Sequence, residues 1–101
     1  MKASRLNKLE LLGHVGVDSG TIVINDPIHS DTINFEEIFS CVDNGDSELP
    51  YENGNAGRAI VVPTGTGDGY YPVYAKIADE GFGERVYAIV IDFSRVGKYV
   101  S

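Results

Sequence analysis

Residues 70–93 read YYPVYAKIADEGFGERVYAIVIDF, two apolar stretches on either side of an acidic, glycine-containing turn. In the first, Tyr71, Val73, Ala75 and Ile77 occupy alternate positions and share one face of a strand. Pro72 lies among them and has no N–H to give a ladder, so it predicts an edge or a bulge. Asp79-Glu80-Gly81-Phe82-Gly83 supplies turn chemistry. Arg85 to Phe93 is apolar on both alternations, with Tyr87, Ile89, Ile91 and Phe93 on one face and Val86, Ala88 and Val90 on the other. That pattern predicts a central strand covered on both sides.

Upstream, Ala59-Ile60-Val61-Val62 is a further strand, followed by a turn containing Gly65, Gly67 and Gly69. Leu9, Leu11, Val15 and Val17 alternate with Glu10, His14 and Asp18, as in a half-buried strand. Asp18-Ser19-Gly20 and the β-branched run Thr21-Ile22-Val23-Ile24 predict a hairpin with it, stopped by Asp26-Pro27. The period then changes. Phe35, Ile38, Phe39 and Val42 form one stripe of a helix. Asn34 accepts at its first turn, Glu37 reaches back in a capping box, Ile33 staples onto Ile38, and Asn44-Gly45 ends it. Asp46 to Gly57 is polar and reads as a surface loop.

These elements predict one domain over residues 1–101, mainly β (α+β). The expected architecture is an antiparallel sheet of five to six strands forming a sandwich or partial barrel, with one short helix packed on it.

The chain has 8 Lys and Arg against 15 Asp and Glu, a net charge of -7. No Lys or Arg falls between Lys8 and Arg58, a span holding ten carboxylates from Glu10 to Glu52. Such a field repels phosphate backbones and argues against direct nucleic-acid binding, while attracting a basic protein. The longest apolar run is far short of the roughly 20 residues a membrane-spanning helix needs. Met1-Lys2-Ala3-Ser4-Arg5 is followed by no unbroken apolar stretch, which argues against export. One cysteine, Cys41, forms no internal disulfide and suits a reducing cytoplasm.

The chemistry-bearing motifs are sparse. The turn at Gly65, Gly67 and Gly69 is followed by a strand, not a helix, and has Asp68 at its centre, so it does not read as a phosphate loop. Asp43-Asn44-Gly45-Asp46-Ser47-Glu48 offers oxygen donors without calcium-loop spacing. Asp26, His29 and Asp31 are near one another in sequence but read as solvated loop residues, so no metal and no cofactor are expected. There is no nucleophile elbow and no zinc-protease motif, and no catalytic residue is expected. Tyr51, Tyr70, Tyr71, Tyr74, Tyr87 and Tyr99 offer packing area for the sheet and, in part, for an interface.

Residues 15–27, VGVDSGTIVINDP, with GDGYYPVY at 67–74 and a final apolar strand ending in Asp92-Phe93, resemble a family of small bacterial and phage domains of unknown function. That family shares a Val-Asp-Ser-Gly hairpin ending in Asp-Pro and a Gly-Asp-Gly-x-Tyr-Pro-Val-Tyr segment. It often has a tyrosine shortly after Asp-Pro, where this chain has Ile28-His29. The resemblance implies a β-rich fold, names no reaction, and marks Asp18, Asp26, Asp68 and Tyr71 as ligand-binding candidates.

Two functions follow as expectations. The first is a non-catalytic protein-binding module, immunity- or inhibitor-like, whose acidic half engages a basic protein. The alternative is a small-ligand or metal-binding domain, enzymatic or not, with an aspartate-lined site between the Asp18 hairpin and the Gly67–Gly69 loop. A homodimer through an exposed edge or a tyrosine patch is compatible with either.

Overall fold

The computed structural model describes residues 9–94. Six strands, one α-helix and one 3₁₀ helix run in the order β1 (Glu10–Val17), β2 (Thr21–Ile24), a 3₁₀ helix (Pro27–Thr32), α1 (Phe35–Asp43), β3 (Glu48–Leu49), β4 (Ala59–Pro63), β5 (Gly69–Asp79) and β6 (Glu84–Ile91). The class is mainly β with a short helix, and the strands divide equally between two antiparallel sheets, β1-β5-β6 and β2-β4-β3. The chain correspondingly forms two compact units. Asp18–Gly67 makes one, and the segments before and after it make the other.

The expected β1–β2 hairpin does not form. β1 pairs with β5, Val17 opposite Gly69 and Val15 opposite Tyr71, while β2 pairs with β4, Thr21 opposite Pro63. Strand length accounts for the choice. The four residues of β2 could pair only half the length of β1, whereas the eleven of β5 pair with it from Glu10 to Val17.

β5, not β6, is the central strand of the first sheet. Tyr71 and Ala75 are buried on one of its faces, with Tyr74 and Ala78 buried on the other. β6 pairs only with β5 among the described strands, and Val86, Tyr87 and Ile89 are exposed. Tyr87 is passed over where the register moves from Lys76 opposite Ala88 to Ile77 opposite Val86. Pro72, expected at an edge, is tolerated in the central strand because of where it stands. Its carbonyl accepts from the Asp92 N–H at 3.1 Å, so its missing N–H also faces that side, one residue beyond the last β5–β6 pair, Val73 with Ile91.

In the Asp18–Gly67 unit α1 packs on β3 and β4. The helix ends are the ones expected: Asn34 Oδ1 accepts from the Glu37 N–H at 3.0 Å, and Gly45, at φ 76°, closes a Schellman turn with Gly45 N–H to Val42 O and Asp46 N–H to Cys41 O. The buried face is rotated from the expected stripe. Cys41, Leu49, Ala59 and Val61 form the core, with Ile33, Ile38 and Val42 packed against it. Phe35 and Phe39 are exposed and stack on each other at 6.0 Å. Small residues on β4 let the helix approach through Cys41, a contact two phenyl rings would prevent.

Candidate functional site

The polar centre of the Asp18–Gly67 unit is built around Arg58, the residue just before β4. It is 5% exposed, although arginine is seldom buried unless paired. Its Nη2 donates to Glu37 Oε2 at 2.7 Å and its Nη1 to the Thr32 carbonyl at 3.3 Å. Glu37 therefore does not complete the expected capping box, since its carboxylate is drawn to a buried guanidinium that needs it more than a helix-end amide does. Arg58 thus ties β4 to the first turn of α1 and to the end of the 3₁₀ helix. The Nε–H of Arg58 is shielded from solvent and meets no acceptor.

Beside Arg58 is an open cleft of about 410 Å³, lined also by His29, Thr32, Tyr51, Glu52 and Asn53. His29 is fixed by the 3₁₀ helix. Asp26 Oδ1 caps that helix by accepting from the Ile28 N–H at 3.1 Å, and Thr32 Oγ1 donates to the His29 carbonyl at 2.7 Å. Tyr51 is held by a self-braced loop in which its N–H donates to Asn55 O, its carbonyl accepts from the Gly54 N–H, and Asn53 Oδ1 accepts from the Asn55 N–H. Gly54, at φ 88°, supplies the left-handed residue this loop requires. The two rings meet edge to face at 5.3 Å, with Tyr51 Oη 3.2 Å from His29 Nε2.

A second cleft of about 410 Å³ lies against α1 and β3, with Glu36, Glu37, Asp46 and Glu48 supplying carboxylates and Cys41 in its wall. Cys41 is buried, with Sγ 3.4 Å from the Asp46 carbonyl and 3.7 Å from that of Glu48. Burial, and secondarily the Asp46 carboxylate, push its thiol above the ordinary value. The folded state therefore holds this proton more tightly than the unfolded one. Its contribution to stability is complete below the unfolded thiol's pKa, about 8.5, and is lost as pH rises through the folded value. The midpoint of urea unfolding should fall more between pH 7 and 10 for the natural chain than for Cys41→Ala. Alkylation of the folded thiol at pH 8 should be at least about tenfold slower than in urea.

The four residues marked by the sequence have separate roles. Asp18 is exposed at the end of β1, and Asp26 is the 3₁₀ cap. Asp68 is exposed before β5, and Tyr71 is 2% exposed, with its ring edge to face with Phe93 at 5.2 Å. Asp18 and Asp26 belong to the Asp18–Gly67 unit, Asp68 and Tyr71 to the other, and neither cleft described above is lined by any of them. Among the described residues no three His, Cys, Asp or Glu side chains are grouped to hold a metal, and no helix is long and apolar enough to cross a membrane. Sequence reasoning missed Arg58. Its signal was a lone cation inside an acidic segment, immediately before an apolar strand. Comparison of the chain with protein-family models, with curated proteins and with solved structures finds no match in any of the three.

Proposed function

We propose that this chain is a non-catalytic binding module that engages a basic protein through the acidic surface of its Asp18–Gly67 unit. One observation carries the reading. That unit has nine carboxylates, eight of them on exposed residues, and its single Lys or Arg, Arg58, is buried against Glu37. No Lys or Arg on the unit's surface offsets these carboxylates, so its net charge toward solvent is negative and steers a positively charged partner toward it.

The α1–β3 cleft is the natural focus. Glu36, Asp46 and Glu48 offer acceptors to a lysine or arginine, and the exposed Phe35–Phe39 pair on the same helix offers apolar area for the centre of an interface. The lone buried thiol suits a reducing cytoplasm, and the acidic surface suits an immunity- or inhibitor-like role toward a basic partner. The aspartate-lined alternative is less well supported, because Asp26 is committed to capping and Tyr71 to the interior.

The test is affinity capture at low and at high salt, with the recovered protein then titrated against the natural chain and a Glu36→Gln, Asp46→Asn, Glu48→Gln variant. The affinity should fall steeply with salt and by about tenfold or more in the variant, since each factor of ten corresponds to about 1.4 kcal/mol. Binding that ignores both salt and the substitutions would remove the physical basis of the proposal.

A further inference from the structure

We propose that the outer edge of β6 is a self-association surface, and that its occupant is β6 of a second copy of the chain, paired antiparallel about a two-fold axis. The first support is a mismatch between composition and position. Val86 to Ile91 is apolar at every position, the composition of a strand covered on both sides, yet β6 stands at the edge of the described sheet with six consecutive residues, Glu84 to Ile89, exposed. Val86, Tyr87 and Ile89 are 52%, 50% and 60% exposed. Edges that stay single carry charges, prolines or bulges. From Val86 to Ile91 there is no charge and no proline, and the one irregularity, at Tyr87, leaves Ala88 to Ile91 in regular register.

The second support is where the backbone groups point. The Asp92 N–H reaches the Pro72 carbonyl, and hydrogen-bonded pairs alternate along an antiparallel ladder. Asp92, Val90 and Ala88 therefore turn their N–H and C=O toward β5, while Ile89 and Ile91 turn theirs outward, where no strand among the described residues receives them. The third decides the occupant. With Ile89 on the axis it meets the copy's Ile89, Tyr87 meets the copy's Ile91 and Ala88 the copy's Val90, so every flanking contact forms twice and no charge lies opposite a like charge. The residues outside Asp18–Gly67 hold seven Lys and Arg against six Asp and Glu, so this part of the chain repels its own copy little and offers a basic partner no field to follow. β1, the other edge, is less suited, since it carries Glu10 and His14 and its register shifts beside Gly13.

The experiment is sedimentation equilibrium of the full chain from about 1 μM to about 1 mM, a range that includes weak, small interfaces. The mass should rise from 10.9 kDa to twice that. It should do so equally in about 1 M NaCl, because salt does not screen apolar contacts or backbone hydrogen bonds. Amide exchange on the natural chain adds a readout that needs no variant. Protection at Ile89 and Ile91 should grow at least about tenfold from the dilute to the concentrated sample, and that at Ala88 and Val90, already bonded to β5, should change less. Ile89→Lys, on a residue already exposed, should unfold near the natural midpoint at about 1 μM and associate at least about tenfold more weakly. A mass of 10.9 kDa at about 1 mM would overturn the assignment. So would a dimer whose Ile89 and Ile91 amides exchange as in the single chain, a folded Ile89→Lys variant that associates like the natural chain, or a mass that grows past twice the single chain's. Protection that appears only when a basic protein is added would give the edge to that partner instead. The acidic surface of Asp18–Gly67 shares none of these residues, and its own test is unaffected by any of these results.

Discussion

Replacing Tyr71 with alanine is expected to destabilise the chain by about 3–5 kcal/mol, the range for deleting a fully buried aromatic ring. Tyr71 is 2% exposed in the central strand of its sheet, opposite Val15 on β1 and edge to face with Phe93. The loss combines apolar area returned to water with a cavity that Ala75 and Val17, held by their own strand pairing, cannot collapse to fill. Against a total stability of about 5–15 kcal/mol for a domain, this one substitution removes a large share. Tyr71→Phe keeps the ring and should lose only about 1 kcal/mol. Urea unfolding of the two variants decides the matter. A small effect of the alanine variant, within about 1 kcal/mol, would mean that the ring is not an interior packing residue and would return it to the list of binding candidates.

Glu37→Ala should destabilise the Asp18–Gly67 unit by about 3 kcal/mol, near the lower end for removing one partner of a buried ion pair. The lower end applies because the Glu37 side chain is 34% exposed, while that of Arg58 is 6% exposed. The asymmetry sets the ranking. Without Glu37 a buried guanidinium keeps its charge and loses its 2.7 Å acceptor, in a site where Nε–H already has none. Glu37→Gln leaves an oxygen for Nη2 and should lose about 1–2 kcal/mol, the scale of a charged hydrogen bond made neutral. Arg58→Met tests the same logic in reverse. A carboxylate one-third exposed can turn to water, so this variant should be milder than Glu37→Ala. The opposite order in urea midpoints would show that the guanidinium contributes chiefly by packing.

Local features of the fold were legible in the sequence and pairwise ones were not. Asn34, Asn44 and Gly45 announced both ends of α1 because capping is settled within a few residues of the chain. The strands at 9–17 and 70–77 were legible from their period, and those at 21–24 and 59–62 from their short β-branched and apolar runs. Which strand lies beside which was not, because Asp18-Ser19-Gly20 suits a link between two sheets as well as a hairpin. The choice was made by the length of β5, about 50 residues away. The helical stripe misled for a related reason. Phe35 and Phe39 were the more hydrophobic face, but Ala59 and Val61 on the facing strand leave room only for Cys41 and its neighbours. The Arg58 cleft draws on residues 29, 32, 51, 52, 53 and 58, which belong to three different segments, and no spacing rule links them. The acidic surface, by contrast, was visible at once, since charge along the sequence becomes charge on a small unit's exterior with little rearrangement.

The order of the strands sets a timetable for assembly. β1 and β5 are neighbours in their sheet but are separated by the whole Asp18–Gly67 segment, so zipping Val17 to Gly69 in an open chain means closing a loop of about 50 residues, an entropic toll of several kcal/mol before any contact forms. Within that segment Thr21 already pairs with Pro63, and the Thr64 N–H donates to the Gly20 carbonyl at 3.0 Å. Once β2 and β4 have met, the two stems that lead to β1 and β5 emerge side by side, and the remaining closure shrinks to a handful of residues. The intervening unit is thus the clasp for the sheet that brackets it. Substitutions that weaken the β2–β4 pairing should therefore slow the refolding of β1, β5 and β6 without touching a single one of their residues.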